Sequence, residues 1–509
     1  MLFVLILIAF INRLGLILWT KTNFDTYGHL YFVKEIKSQS TGPFDKINTK
    51  VSGSKKFKSQ FLWHWVLSFL PTKFLNTYQK YLNPVVDIFF SIFIYLITVS
   101  IGYENEMAFQ LSILYLFSPI WFSGFSIGPR IKSLTPRLFS EIITNIFFIV
   151  IILPLNIDLI TQSLISVLLG SIVILSFRFG LQAILFISIF FGAFSLNLLP
   201  LLYVIISTFL SILITRGKFL ETLKYQAVHL KWYFKKNLKG EMSISKRNNI
   251  LFQLKKLNGG SEKSKFKNII NIFLISNSIG SIILKLPLYI FLLYFISLEL
   301  LGGLNNLNDL FYLILSGTII YFIVSTPLFL FIGEAERYLN HISYFIILNY
   351  LIIVKDLNFS FLTDFLIAYG VLYWIFEVFY SYRKNTLKST KELNLVFSYL
   401  KSLNKKIILV YPYHAVGGVW KIMLNTEHEV ICHMASDKSY RNYLEEKYSL
   451  KYPYLNLNLI EEMHIEFGLN LIIIDTNSLE KNGFKNWVPP PNWKTKNFNT
   501  LNIQLLERL

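Results

Sequence analysis

Long uninterrupted apolar runs govern this sequence, each close to the roughly 20 residues that cross a bilayer core as a helix. They recur at about 2–19, 84–102, 107–124, 139–155, 159–177, 179–193, 197–214, 270–300, 309–332, 341–354 and 360–380. In hydrocarbon no water satisfies the peptide groups, so a crossing segment must bond to itself as a helix or close into a barrel. Barrel strands alternate apolar and polar residues, and Ile146–Leu155 does not. The runs therefore predict an α-helical polytopic membrane protein with about eleven transmembrane helices. Only 16% of residues are charged, where a soluble domain carries about a quarter. Met1–Trp19 lacks a basic start and a small-residue cleavage site. It reads as an uncleaved first span, with Arg13 inside it.

The polar residues divide the chain. Residues 1–382 form the expected transmembrane domain, interrupted by long polar loops at 20–81 and 215–268. Residues 383–405 read as a charged linker helix and 406–509 as a small soluble α/β domain. In that domain Ile407–Tyr411, Glu429–Met434 and Leu469–Asp475 read as strands alternating with helices, which suggests a small parallel sheet. The tail after Pro489–Pro491 has no clear element. Loop 20–81 holds 10 Lys against 3 acids, and 215–268 holds 14 Lys or Arg against 3. Span parity puts both on one side, with the 125–138 loop, Arg337 and the C-terminal domain. Taken alone, that bias makes the side cytoplasmic. The single cysteine, Cys432, excludes an intrachain disulfide and a multi-cysteine zinc site.

Four constellations could carry chemistry. In Phe24–Tyr31, Asp25 and His29 share one face if the piece is helical. The pair could deprotonate a hydroxyl or bind a divalent metal ion; alternatively Asp25 caps the next helix. In Phe61–Trp65, His64 lies between two tryptophans, as an interfacial residue or as part of a sugar site. Arg130, Lys132 and Arg137 occupy the proline-stiffened Gly128–Arg137 loop. They suit a lipid-linked phosphate or form an ordinary basic loop. Glu334, Glu336 and Arg337 end a long apolar run, where charges are costly unless paired or functional. They predict a buried pair or a site facing the same cavity as Asp25. Arg178 interrupts an apolar stretch at an expected turn on the same side, and Asp87 reads as structural. His414 and Gly417-Gly418 follow a strand and read as a turn. His428 and His433 lack a metal-ligand pattern.

These residues resemble the GT-C class of membrane glycosyltransferases. There a first span leads into a long loop with an essential acidic residue, followed by a membrane-surface segment, a helical bundle and often a soluble C-terminal domain. Asp25 matches the acidic position. Leu62, His64 and Trp65 match the "P-L-x-H-W" stretch, with Phe61 replacing its proline. Phe467–Asp475 looks like a strand common in the C-terminal domains. Two departures stand: no paired acidic motif accompanies Asp25, and the class places this loop outside the cytoplasm, against the charge rule.

The resemblance implies a cell-membrane enzyme that moves a sugar from a polyprenyl-phosphate-linked donor to a cell-surface glycan, lipid or protein acceptor. Asp25 would be the general base, and Arg130, Lys132 and Arg137 would neutralise the leaving phosphate. Glu334, Glu336 and Arg337 would shape the cavity, His64 would orient the sugar, and His29 would bind substrate. The partners would be membrane lipid, lipid-linked sugar and a glycan acceptor, not nucleic acid. The alternatives are a transporter or flippase of a lipid-linked or anionic glycan, and a structural assembly subunit. Asp25, Arg130 and Glu334 facing one another in one cavity would argue for catalysis.

Overall fold

The computed structural model describes residues 1–20, 24–123, 130–239, 248, 277–302, 309–385, 390–432, 438–451, 454–481, 484, 487–498 and 502–508. Gly128, Pro129, His433 and most of 240–276 lie outside these. The chain opens with helices α1 (Leu2–Leu18), α2 (Phe24–Gln39), α3 (Leu62–Ser68), α4 (Thr72–Ser100), α5 (Asn105–Phe117) and α6 (Pro119–Phe122). There follow α7 (Pro136–Ile152), α8 (Leu159–Ser176), α9 (Arg178–Ser195), α10 (Leu199–Ile214) and α11 (Lys218–Leu238). Further helices run at Ser278–Lys285, Pro287–Gly302, Asp309–Ser325, Glu336–Asn340, Ser343–Asp356 and Ser360–Asn385. Local sequence sets several starts. Pro119, Pro136 and Pro200 stand in first turns, where a missing N–H costs nothing. Asp158 caps α8 by accepting from the N–H groups of Ile160 and Thr161.

The chain is an integral membrane protein, but fewer helices are long enough to cross than the eleven expected. Among the described residues, four helices pass on length and apolarity, or up to six if each of two bent pairs is one span. Apolar runs and crossing-length helices differ in number for a physical reason. The 107–124 run breaks at Ser118-Pro119, so α5 has only 13 residues. The 341–354 run is a 14-residue helix whose apolar residues pack almost wholly inside the protein. The 197–214 run continues into α11 through a bend of 117° at Gly217, which has positive φ.

Charges inside the bundle are paired, as a low-dielectric interior requires. Arg13 Nε lies 2.6 Å from Asp87 Oδ2, and Arg13 also donates to the Leu116 carbonyl at 2.7 Å. The Tyr115 hydroxyl donates to Asp87 Oδ1 at 2.5 Å. Arg130 lies 3.3 Å from Asp87, donates to the Tyr115 oxygen at 2.9 Å and pairs with Glu141. Glu141 also holds Arg137 at 2.8 Å. This network joins α1, α4, α5 and α7 with the segment before α7.

The C-terminal sheet has strands β3 (Ile407–Tyr411), β4 (Glu429–Ile431), β7 (Leu469–Asp475), β8 (Trp493–Phe498) and β9 (Ile503–Arg508), in the order β4-β3-β7-β9-β8. The short pair β5 (Ser449–Lys451) and β6 (Tyr454–Leu455) stands apart. The three expected strands pair in parallel. The tail corrects the reading of the sequence, because it forms an antiparallel hairpin along β7. Its outer strand, Trp-Lys-Thr-Lys-Asn-Phe, is largely exposed. Polar edge strands of this kind lack the apolar run that flags a buried one.

The first polar loop belongs to the same unit. Its strands β1 (Ile47–Asn48) and β2 (Lys56–Phe57) pair with each other. Residues 50–52 then extend the sheet beside β4, where Ser52 N donates to the Val430 carbonyl at 2.9 Å and Val430 N to the Lys50 carbonyl at 2.8 Å. Tyr31 and Phe32 of α2 share a core with Trp420, Val430 and Ile473. Gly418 has positive φ, and a Cβ there would sit 2.1 Å from the Phe24 ring. Only glycine lets the loop after β3 approach this closely. The sheet thus positions the helix that carries Asp25.

Candidate active site

α2 carries Asp25 and His29 one turn apart on one face. That face borders a cavity of about 420 Å³. The cavity is lined by Asp25, His29, Thr135, Arg137, Phe177, Arg178, Phe179, His229, Leu230, Tyr233, Phe331, Gly333, Glu334 and Arg337. Five elements therefore converge: α2, the start of α7, the α8–α9 junction, α11, and the segment around Gly333.

The cationic wall is built on one phenylalanine. Arg337 Cζ lies 4.3 Å and Arg178 Cζ 4.8 Å from the centroid of the Phe179 ring, within cation–π range. Gly333 has φ 137°, and a Cβ on it would meet Phe179 at 2.9 Å. Phe179 can therefore lie against bare backbone. Glu334 pairs with Arg337. Arg178 has no carboxylate within 4 Å among the described residues. It is also the first residue of α9, where the helix dipole already favours an anion. An arginine held there with no counter-ion among the described residues leaves a positive site facing the cavity.

Asp25 lies opposite in character. It has no ion-pair partner among the described residues. Crowding of its surroundings pushes its carboxyl above the usual range, Arg337 pulls it back, and Glu334 adds to the rise. A carboxylate with a raised pKa accepts protons more readily. Behind it, His29 Nδ1 lies 2.8 Å from His64 Nε2. Burial pushes His29 down to about 4 and His64 well below the usual range, so both rings are neutral at physiological pH.

The structure brings Asp25, His29, Arg137, Glu334 and Arg337 together at the cavity, with His64 one hydrogen bond behind. It separates three others from it. Arg130 is turned into the bundle by Asp87 and Glu141. Lys132 Nζ lies 2.5 Å from Glu377 and 3.3 Å from the Ser381 hydroxyl. Glu336 is fully buried and does not line the cavity. Asp25 and Glu334 therefore share a cavity, and Arg130 does not. Arg130 and Lys132 each lie against a partner that is distant in sequence or buried, which local sequence does not reveal.

His229 and Tyr233 escaped the sequence reading, and Arg178 was read only as a turn residue. The spacing of four between His229 and Tyr233 was the available signal, masked by the lysines of α11. The C-terminal unit holds that helix in place. Trp232 donates to Glu445 at 2.9 Å, Lys236 lies 3.2 Å from Glu445, and Arg441 lies 3.4 Å from His229 Nδ1 and over the Trp232 ring.

A resident metal ion needs several converging donors. Among the described residues no group of three His, Cys, Asp or Glu side chains converges, and Glu334 is engaged by Arg337. The described residues by themselves therefore assemble no closed donor set for the divalent ion that the sequence allowed.

No protein-family model and no curated protein matches the sequence. Solved structures do. The oligosaccharyltransferase of Archaeoglobus fulgidus in its apo form aligns with a TM-score of 0.54 at 11% identity, over 94% of this chain and 70% of that one. The same enzyme in complex with zinc and sulfate gives 0.53 at 11%, over 93% and 68%. In complex with an inhibitory peptide and a dolichol-phosphate it gives 0.50 at 11%, over 94% and 70%. The chain thus has the fold of the archaeal oligosaccharyltransferase, a GT-C glycosyltransferase.

Proposed function

We propose that the chain is a glycosyltransferase of the cell membrane that moves a sugar from a polyprenyl-phosphate-linked donor to a glycan, lipid or protein acceptor at the cell surface. One observation carries this reading: Asp25, a carboxylate without an ion-pair partner among the described residues, faces a cavity whose wall bears Arg137, Arg178 and Arg337. Glycosyl transfer from a lipid phosphate needs those two functions. A base takes the proton of the acceptor hydroxyl as its oxygen bonds to the anomeric carbon, and the bond from that carbon to the phosphate oxygen breaks. The electron pair leaves on the phosphate. Guanidiniums fixed beside it stabilise the developing charge without reorganising. Attack opposite the leaving group inverts the anomeric centre.

In this reading Asp25 is the base, and Arg178 and Arg337 take the phosphate, with Arg137 at the rim. Glu334 orients Arg337, while Arg130, Lys132 and Glu336 support the walls. The fold supports the reading, since the structural relative has been captured with a dolichol-phosphate and, in another structure, tethered to an acceptor peptide. The proposal includes about eleven crossings, with the shorter apolar helices such as α1 and Asp309–Ser325 completing the bundle.

The test is transfer from a panel of polyprenyl-phosphate sugars by the full chain in proteoliposomes. Asp25→Asn is expected to lower transfer by about 10²–10⁴-fold at unchanged expression and melting temperature. Undiminished transfer removes Asp25 from the mechanism. Binding and translocation of the lipid without any transfer favours the flippase reading.

A further inference from the structure

His29 and His64 touch through one hydrogen bond, Nδ1 of the first to Nε2 of the second, at 2.8 Å. Both rings being neutral, one nitrogen of the pair carries the shared proton, and the two placements give His29 opposite chemistry. If His29 Nδ1 carries it, His29 Nε2 is a bare lone pair at the cavity and a second base. If His64 Nε2 carries it, His29 Nδ1 accepts, and His29 Nε2 must bear hydrogen.

The other end of the pair decides between them. His64 is 4% exposed, and its Nδ1 has no hydrogen-bond partner among the described residues. The rings of Phe32 and Phe61 stand perpendicular to its own, with centroids 5.9 and 5.6 Å away, so these neighbours are apolar. In the first placement His64 Nδ1 is a buried N–H without an acceptor. In the second it is only an unused lone pair. Orphaned buried donors are rarer than under-used acceptors. From this we infer that His64 donates to His29 and fixes it as the Nε2–H tautomer, a hydrogen-bond donor directed at a substrate oxygen in the cavity. His29 is then a binding residue and not a second base, and His64 is a positioning residue that acts through it. The group that it meets is an anionic or hydroxyl oxygen, of a lipid phosphate or of a sugar. For the identity of that ligand the inference rests on the proposed function.

Solid-state ¹⁵N NMR of the histidine-labelled full chain in lipid reads the tautomer directly, with His29 assigned by the resonance lost in His29→Gln. The expected result is a protonated Nε2 and an unprotonated Nδ1 on His29. The reverse pattern overturns the inference whatever the enzyme does. Ligand contact is read by titrating farnesyl phosphate, with farnesol and the free monosaccharides glucose and mannose in parallel. His29→Leu is expected to bind its oxygen ligand about tenfold or more weakly. His29→Gln, whose amide keeps an N–H near the Nε2 position, is expected to stay within about threefold of the parent. Loss confined to farnesyl phosphate identifies the phosphate as the partner, and loss confined to a monosaccharide identifies a sugar hydroxyl. Equal loss in both variants, or none, overturns the donor role. Failure of the parent chain to bind farnesyl phosphate counts against the lipid-phosphate donor and leaves the tautomer to be decided by the NMR pattern.

Discussion

Arg13 and Arg130 meet two carboxylates, Asp87 and Glu141, and the Tyr115 hydroxyl inside the bundle. Arg178 and Arg337, on the same ring of Phe179, have only Glu334 within ion-pair reach among the described residues. The first cluster is closed, with every guanidinium facing an anion of the protein. The second is open at a cavity. A buried ion pair adds little net stability, but removing one partner strands a charge and costs a great deal. A guanidinium without a protein anion forms no ion pair in the folded chain and is available to an incoming anion. The two clusters contain the same residue type and differ in what the tertiary structure sets opposite it.

The sharpest way to break that contrast is to open the closed cluster. Asp87→Ala strands Arg13, leaves Arg130 with Glu141 alone and is expected to cost about 3–5 kcal/mol of stability. Thermal melting in detergent, or loss of folded protein on expression, reads that cost. In the open cluster the same operation should move binding and not stability. Arg178→Met is expected to leave the melting temperature unchanged or raise it, while weakening farnesyl phosphate by roughly ten- to a hundredfold. A large stability loss in Arg178→Met would mean that its guanidinium is already satisfied. Gly333→Ala tests the platform itself. Its positive φ and the contact with Phe179 predict a loss of about 1–3 kcal/mol, with weaker anion binding because both guanidiniums shift with the ring.

The smallest effect concerns pH. His29 is held down to about 4 by burial, whereas an unfolded histidine titrates near about 6.5. Between those values the unfolded chain binds the extra proton and the folded chain does not, so stability falls as pH falls. The parent chain should melt lower as pH drops from about 6.5 toward about 4, and His29→Gln should lose part of that slope. An identical slope in both would place the sensitivity elsewhere.

Much of this was legible before any tertiary structure. Apolar runs define a helical membrane protein, because hydrocarbon leaves the backbone few ways to bond. The Asp25–His29 spacing survives as a shared face, since four residues make about one turn. Ile407–Tyr411 and Leu469–Asp475 are strands as their apolar runs predict. The hairpin at Trp493–Arg508 was not legible, because its outer strand is polar and held by pairing with a neighbour.

The charges mark where the sequence stops. By itself it marked Arg13, Asp87, Arg130, Arg178, Glu334 and Arg337 as charges set among apolar residues. Only the tertiary structure decided who compensates whom. Arg130 was expected at the substrate and is taken by Asp87 and Glu141, whereas Arg178 stands at the cavity. Arg13 and Asp87 lie 74 residues apart in sequence and 2.6 Å apart in space. Ion pairing depends on distance through space and on the local dielectric, and neither is written in the spacing of residues along the chain.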